Sequence, residues 1–129
     1  MKLIPHNKKP ERIVIVSGMF DPLSLEEIKF LKKCKAKGDW LVVGVHSDWW
    51  MKYSQGGFVQ DYDTRREIIL ALKIVDEVFT FDDTDGTVCQ LLTLVKICYH
   101  GAYITYVSDI DMHNMPESKI RGITFETLK

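Results

Sequence analysis

The chain predicts an α/β fold: a single three-layer, Rossmann-like α/β sandwich around a mostly parallel five-stranded sheet. Two observations carry that expectation. From Arg12 onward, β-branched or continuously apolar runs alternate with segments whose apolar residues recur at helical spacing. Such an alternation, joined by right-handed crossovers, gives helices on both faces of a parallel sheet. A length of 129 residues, 46% of them hydrophobic and 27% charged, makes residues 1–129 one ordinary globular domain.

Taken in order, Met1 to Glu11 is polar and basic and reads as a flexible extension. Ile13 to Val16 is a β-branched strand, closed by the turn residues Ser17-Gly18. A helix should begin near Ser24, since Leu25, Ile28, Leu31 and Cys34 share one face, and it should stop at Lys37-Gly38-Asp39. Trp40 to Val45 is nearly all apolar, as a central parallel strand covered on both faces should be. His46 to Gln60, with Trp49, Trp50 and Gly56-Gly57, reads as a long loop, a binding loop or mobile flap. Asp61, Asp63 or Thr64 can cap the next helix, which carries Ile68, Ile69 and Leu72; Val75 to Phe81 follows as a strand. Asp82 to Gly86 is a turn, Val88, Leu91, Leu92 and Val95 stripe a further helix, and Ala102 to Val107 is a strand. Ile123 to Phe125 can add a short last one.

Charge narrows the partners. Seventeen basic against eighteen acidic side chains leave −1, so no global field exists to hold a nucleic acid or an anionic membrane. Lys32, Lys33, Lys35 and Lys37 line what a helix would turn to solvent. No run approaches the roughly 18 apolar residues that span a bilayer, and the amino terminus lacks an apolar signal core. The cytoplasm is the expected address. Cys34, Cys89 and Cys98 are spaced as neither a disulfide framework nor a metal motif and read as buried or half-buried thiols. His6, His46, His100 and His113 match no zinc spacing, so no metal ligands are assigned, although His46 ends a strand where open sheets bind ligands.

The strand, turn and helix of Val14 to Ile28 form a junction where free helix N–H groups and the dipole favour an anion. Further pieces follow in a fixed order: Gly18-Met19-Phe20-Asp21-Pro22-Leu23, then Gly38 to Asp48 (GDWLVVGVHSD), Arg65-Arg66-Glu67-Ile68-Ile69 and Val75-Asp76-Glu77-Val78. Asp85 to Cys89 and Asn114 to Glu117 add two more. Together they resemble the cytidylyltransferase-like nucleotidyltransferases, in particular the glycerol-3-phosphate cytidylyltransferase and heptose-phosphate adenylyltransferase group, over about Arg12 to Pro116.

That resemblance implies transfer of CMP or AMP from CTP or ATP to a small phosphomonoester, an alcohol or sugar phosphate, with release of pyrophosphate and with Mg²⁺ accompanying the nucleotide. It implies nucleotide contacts from Gly18, Met19, Phe20, Asp21, Ser24, Glu27 and Asp109, catalytic contacts from Lys52 and Arg65, and a homodimer. Arg65 can equally pair with Asp61 or Asp63. Trp49 and Trp50 can stack on a base, line a dimer surface or pack at the sheet edge.

The chain departs from that pattern where it matters. The family's H-x-G-H falls on Ser24-Leu25-Glu26-Glu27, so both histidines are absent and a capping box stands in their place. The glycine-rich turn before Asp109 reads Val107-Ser108, Met19 replaces a small hydroxyl residue, and the serine-rich carboxyl-terminal segment has no match before Lys129. Losing one donor of this kind costs about 3 to 4 kcal/mol of barrier. A catalytically silent scaffold that binds nucleotide or a protein partner is therefore the competing expectation.

Overall fold

The structure, a computed structural model, describes residues 10–128; the basic stretch Met1 to Lys9 and the terminal Lys129 lie outside the described residues. Five strands form one sheet in the order β3-β2-β1-β4-β5, and every neighbouring pair is parallel. β1 (Arg12–Gly18) pairs with β2 (Trp40–Val45) from Ile13 opposite Trp40 to Gly18 opposite Val45. On its other side β1 meets β4 (Tyr103–Ser108), with Ile15 opposite Tyr106. β3 (Glu77–Phe79) and β5 (Ile123–Thr127) are the edges.

The pleat sorts the core into two layers. Ile13 and Ile15 point to one face with Val42, Ile104 and Tyr106, where α4 (Cys89–Cys98) contributes Leu91, Leu92 and Val95. Val14 and Val16 point to the other with Leu41 and Val43, under Leu31 and Cys34 of α1 (Leu25–Lys35) and Ile69 of α3 (Tyr62–Leu70). β2 is buried along its whole length. At Gly44, an added Cβ would lie 2.4 Å from a methyl of Leu91, so glycine there lets α4 settle onto the sheet. The three-layer, parallel expectation is borne out.

Several local expectations change. His46 to Gln60 is not a loop throughout: it holds α2 (Asp48–Gln55), capped by the Ser47 side chain, which accepts the Trp50 N–H, and stopped by Gly56 at φ +81°. Only Met51 of α2 is buried, too little apolar periodicity to mark a helix. Asp61 is the cap of α3. β3 pairs over three residues instead of the seven from Val75 to Phe81, because the Asp76 side chain accepts the Leu41 N–H and takes a ladder partner for itself. α1 ends at Lys35 with Ala36 as its C-cap, before the expected stop at Gly38, whose role is close approach: a Cβ there would lie 2.7 Å from the Arg12 carbonyl oxygen. Between β4 and β5 a short 3₁₀ helix, Pro116–Lys119, lies beside α4. No helix among the described residues is long and apolar enough to cross a membrane.

Candidate functional site

In this strand order β1 is followed by β2 on one side, and the chain crosses to β4 on the other, so the switch point lies between β1 and β4 at their carboxyl ends. A cleft of about 690 Å³ opens there. It has an α1 side, formed by Gly18, Met19, Phe20, Glu26 and Glu27, and an α4 side, formed by Ser17, His46, Tyr106, Val88 and Glu117, with Asp109 on the turn after β4.

The loop after β1 is built by its own side chains. Phe20 adopts φ +51° and is buried against Gly18, where an added Cβ would meet its ring at 2.8 Å. The Gly18 carbonyl accepts the His46 N–H at 3.1 Å, tying the ends of β1 and β2. Met19 stands half-exposed at the rim. Asp21 has both oxygens engaged, accepting the Val59 and Gln60 N–H groups at 2.8 and 2.6 Å, so it holds the segment after α2.

The α1 start closes on itself as the sequence indicates. Ser24 Oγ accepts the Glu27 N–H at 3.1 Å, and Glu27 Oε1 accepts the Ser24 N–H at 2.9 Å. The N–H groups of Leu25 and Glu26 cannot be satisfied within the helix, and Glu26 lines the cleft.

Arg65 and Lys52 do not line the cleft. Arg65 is fully buried and pairs with neither Asp61 nor Asp63. It donates to the carbonyls of Gln60 (2.9 Å), Met19 (3.0 Å) and His46 (2.7 Å) and to Asp48 Oδ1 (2.9 Å). Its guanidinium thus clamps the loop after β1, the end of β2 and the start of α2, which replaces the phosphate contact expected from sequence. Lys52 sits on exposed α2, its ammonium 5.7 Å from the Phe58 ring centre.

Three groups on the α4 side had no sequence assignment. Asp83 is buried and accepts from Ser47 N (2.9 Å), Ser47 Oγ (2.7 Å) and His46 Nδ1 (3.0 Å), and His46 lines the cleft. A carboxylate at that nitrogen fixes the proton on Nδ1 and leaves Nε2 as an acceptor. Burial lowers the His46 pKa, the Asp83 bond opposes that shift, and the Arg65 charge adds to it. Its ring stacks on Trp50 at 3.9 Å, so Trp50 packs inward while Trp49 stacks on Tyr53 at the surface. Ser17 Oγ and Tyr106 OH are 2.7 Å apart, and burial raises the tyrosine pKa. Glu117, only 5% exposed, accepts the Val88 N–H through Oε2 at 3.0 Å, while its Oε1 has no partner. A turn aspartate or a lone glutamate is too common for sequence to single out; only His46, at a strand end, was marked.

The cytidylyltransferase-like family model matches residues 15–123. The chain belongs to that family. Among relatives, a bifunctional protein HldE from Nitratiruptor sp. is 36% identical over 92 residues, covering 70% of this chain and 20% of that protein. One from Campylobacter jejuni subsp. doylei is 34% identical over 123 residues, covering 92% and 26%. The family chain thus spans about a fifth to a quarter of those relatives. A lipopolysaccharide core biosynthesis protein from Thermoplasma volcanium superposes with TM-score 0.73 at 27% identity, over 94% of this chain and 98% of that one. A putative nicotinate-nucleotide adenylyltransferase from Vibrio parahaemolyticus, at 19% identity and TM-score 0.63 over 91% and 72%, shares the fold.

Proposed function

We propose that this cytidylyltransferase-like protein binds CTP or ATP in the cleft between β1 and β4 and transfers the nucleotidyl group to a small phosphorylated alcohol or sugar, slowly for its family. The observation that supports this reading is the position of the cleft. It opens at the switch point of the sheet, where Gly18, Met19 and Phe20 of the loop after β1 and Glu26 in the first turn of α1 line the same space. In the reaction an oxygen of the phosphomonoester attacks the α-phosphorus, the bond from that phosphorus to the bridging oxygen breaks, and pyrophosphate leaves with the electron pair. The protein's part is to position both ligands and offer donors.

Slowness follows from the donors present. On the α1 side the Glu26 N–H, Lys29 and Lys33 offer donors, against the carboxylates of Glu26 and Glu27. No group of three His, Cys, Asp or Glu among the described residues is arranged to hold a metal. Mg²⁺ therefore enters this reading as the ion carried by the triphosphate, where it would offset the repulsion from Glu27.

Calorimetric titration with CTP and with ATP, each with and without Mg²⁺, tests the proposal. Micromolar binding that requires Mg²⁺ supports it, and absence of heat at millimolar nucleotide rejects it in favour of a silent scaffold. The triple variant Ser24→His, Glu26→Gly, Glu27→His then isolates the chemistry: release of pyrophosphate should rise at least about a hundredfold if the rest of the cleft is competent.

A further inference from the structure

The two sides of the cleft differ in what they offer a ligand. On the α1 side the unused backbone groups are donors, the N–H groups at the helix start, beside the carboxylates of Glu26 and Glu27. On the α4 side they are acceptors. His46 Nε2 is a lone pair because Nδ1 faces Asp83, and the Ser17–Tyr106 pair shares one internal bond and keeps further lone pairs. Glu117 lines the cleft and keeps a buried carboxylate oxygen, Oε1, with no partner. Strand parity places Ser17, His46 and Tyr106 on the same face as α4, next to Val88 and Met112.

The unpaired oxygen is the decisive feature. A buried polar atom without a hydrogen bond is costly, and a carboxylate oxygen more so. The Val88 N–H and the α4 dipole explain why the carboxylate is held there. They account for Oε2 alone. One other buried side-chain oxygen among the described residues lacks a partner, Gln60 Oε1, and its residue does not line the cleft.

We infer that the α4 side of the cleft is an acceptor-lined subsite for an uncharged O–H or N–H bearing part of a ligand, and that Glu117, through Oε1, is its specificity-determining residue. A phosphate would be repelled there; it belongs on the α1 side. Two parts of the ligand pair carry suitable donors, the hydroxyls of the phosphorylated alcohol or sugar and the exocyclic amine of cytosine or adenine. This inference rests on the nucleotidyltransferase reading for the ligands but not for the subsite.

Glu117→Gln is the informative change, because the amide oxygen still accepts from Val88 and the unpaired atom turns from acceptor to donor. With the variant's melting temperature matched to wild type, binding is compared for CTP against UTP, ATP against ITP, and glycerol 3-phosphate and sugar phosphates against inorganic phosphate. If Glu117 reads the base, wild type prefers CTP over UTP or ATP over ITP, and the variant loses about 10- to 100-fold of that preference. If it reads hydroxyls, nucleotide affinities stay fixed and the same loss falls on the polyol or sugar phosphate, with inorganic phosphate unchanged. A folded variant with every affinity unchanged overturns the inference and leaves Glu117 as a helix cap.

Should wild type bind no triphosphate and no phosphomonoester, the transferase reading fails and the subsite is tested alone. Cytidine, adenosine, ribose and glycerol are then titrated while the amide resonance of Val88, hydrogen-bonded to the same carboxylate, is followed by NMR. A saturable shift with any of them, absent in Glu117→Gln, supports the subsite; no shift with all four rejects it.

Discussion

Two helices begin at the same cleft and solve the same problem in opposite ways. α1 caps itself: Ser24 and Glu27, three residues apart, satisfy each other's backbone N–H within one turn. α4 begins at Val88, whose own side chain accepts nothing; Thr87 Oγ1 accepts the Cys89 N–H at 3.1 Å, and the Val88 N–H is taken by Glu117 from 29 residues further on. The self-made cap is complete and leaves the ligand only bare N–H groups. The borrowed one brings an extra carboxylate oxygen to the cleft. A local cap can therefore narrow a helix start's anion chemistry to its remaining N–H groups, while a remote cap can add acceptor chemistry to a neighbouring site.

The largest expected effect tests whether the two sides are independent. Arg65 bonds the Met19 carbonyl on the α1 side and the His46 carbonyl on the α4 side. Arg65→Met should destabilise the fold by about 3–5 kcal/mol, since it strands Asp48 and three carbonyls that the guanidinium serves. Urea unfolding measures the loss, and less than about 1 kcal/mol would mean water replaces the clamp. Hydrogen exchange on the same variant is the sharper readout. Equal loss of protection at Glu27 and Val88 would show the two helix starts move as one unit, ending the contrast drawn between them.

The caps themselves come next. Glu117→Ala should cost about 1–2 kcal/mol, because the Val88 N–H is left buried, whereas Glu117→Gln should stay within about 0.5 kcal/mol of wild type. Ser24→Ala should cost about 1 kcal/mol. Thermal unfolding with denaturant cross-checks gives all three. If Glu117→Ala is neutral, the remote cap contributes nothing and the asymmetry between the helices is one of geometry alone.

The same contrast explains what was legible in the sequence. The start of α1 was readable because its cap and apolar stripe lie within Ser24 to Cys34, although the helix ends at Lys35, before the stop expected at Lys37-Gly38-Asp39. β2 was readable because all six residues are buried and apolar. α2 was not, since a single buried residue leaves no stripe, and its cap Ser47 also donates to Asp83. The α4 side of the cleft was invisible for a simple reason: its bonds join residues 29 (Val88 to Glu117), 37 (His46 to Asp83) and 89 (Ser17 to Tyr106) positions apart. Sequence spacing carries no trace of such pairs. Arg65 shows the converse. Its position in the family pattern was legible, but its direction depends on carbonyls from three other segments, and those turn it inward.

The smallest effect lies in the pH dependence of the α4 side. Burial disfavours the imidazolium of His46, the Asp83 bond favours it, and burial prevails, so the folded pKa lies below the ordinary 6.5. As pH falls through about 6.5, the unfolded chain takes up a proton that the folded chain still refuses. Stability contributed by neutral His46 is thus present above that pH and is lost on acidification, until the folded pKa is passed. His46→Gln, which can still donate to Asp83, should flatten the fall in melting temperature between about pH 7 and 5 while barely changing its value at pH 7.5. A steeper fall in the variant would mean that Asp83 outweighs burial, placing a charged imidazole on the α4 side. That side would then hold a donor opposite Glu117, and phosphate could no longer be assigned to the α1 side alone.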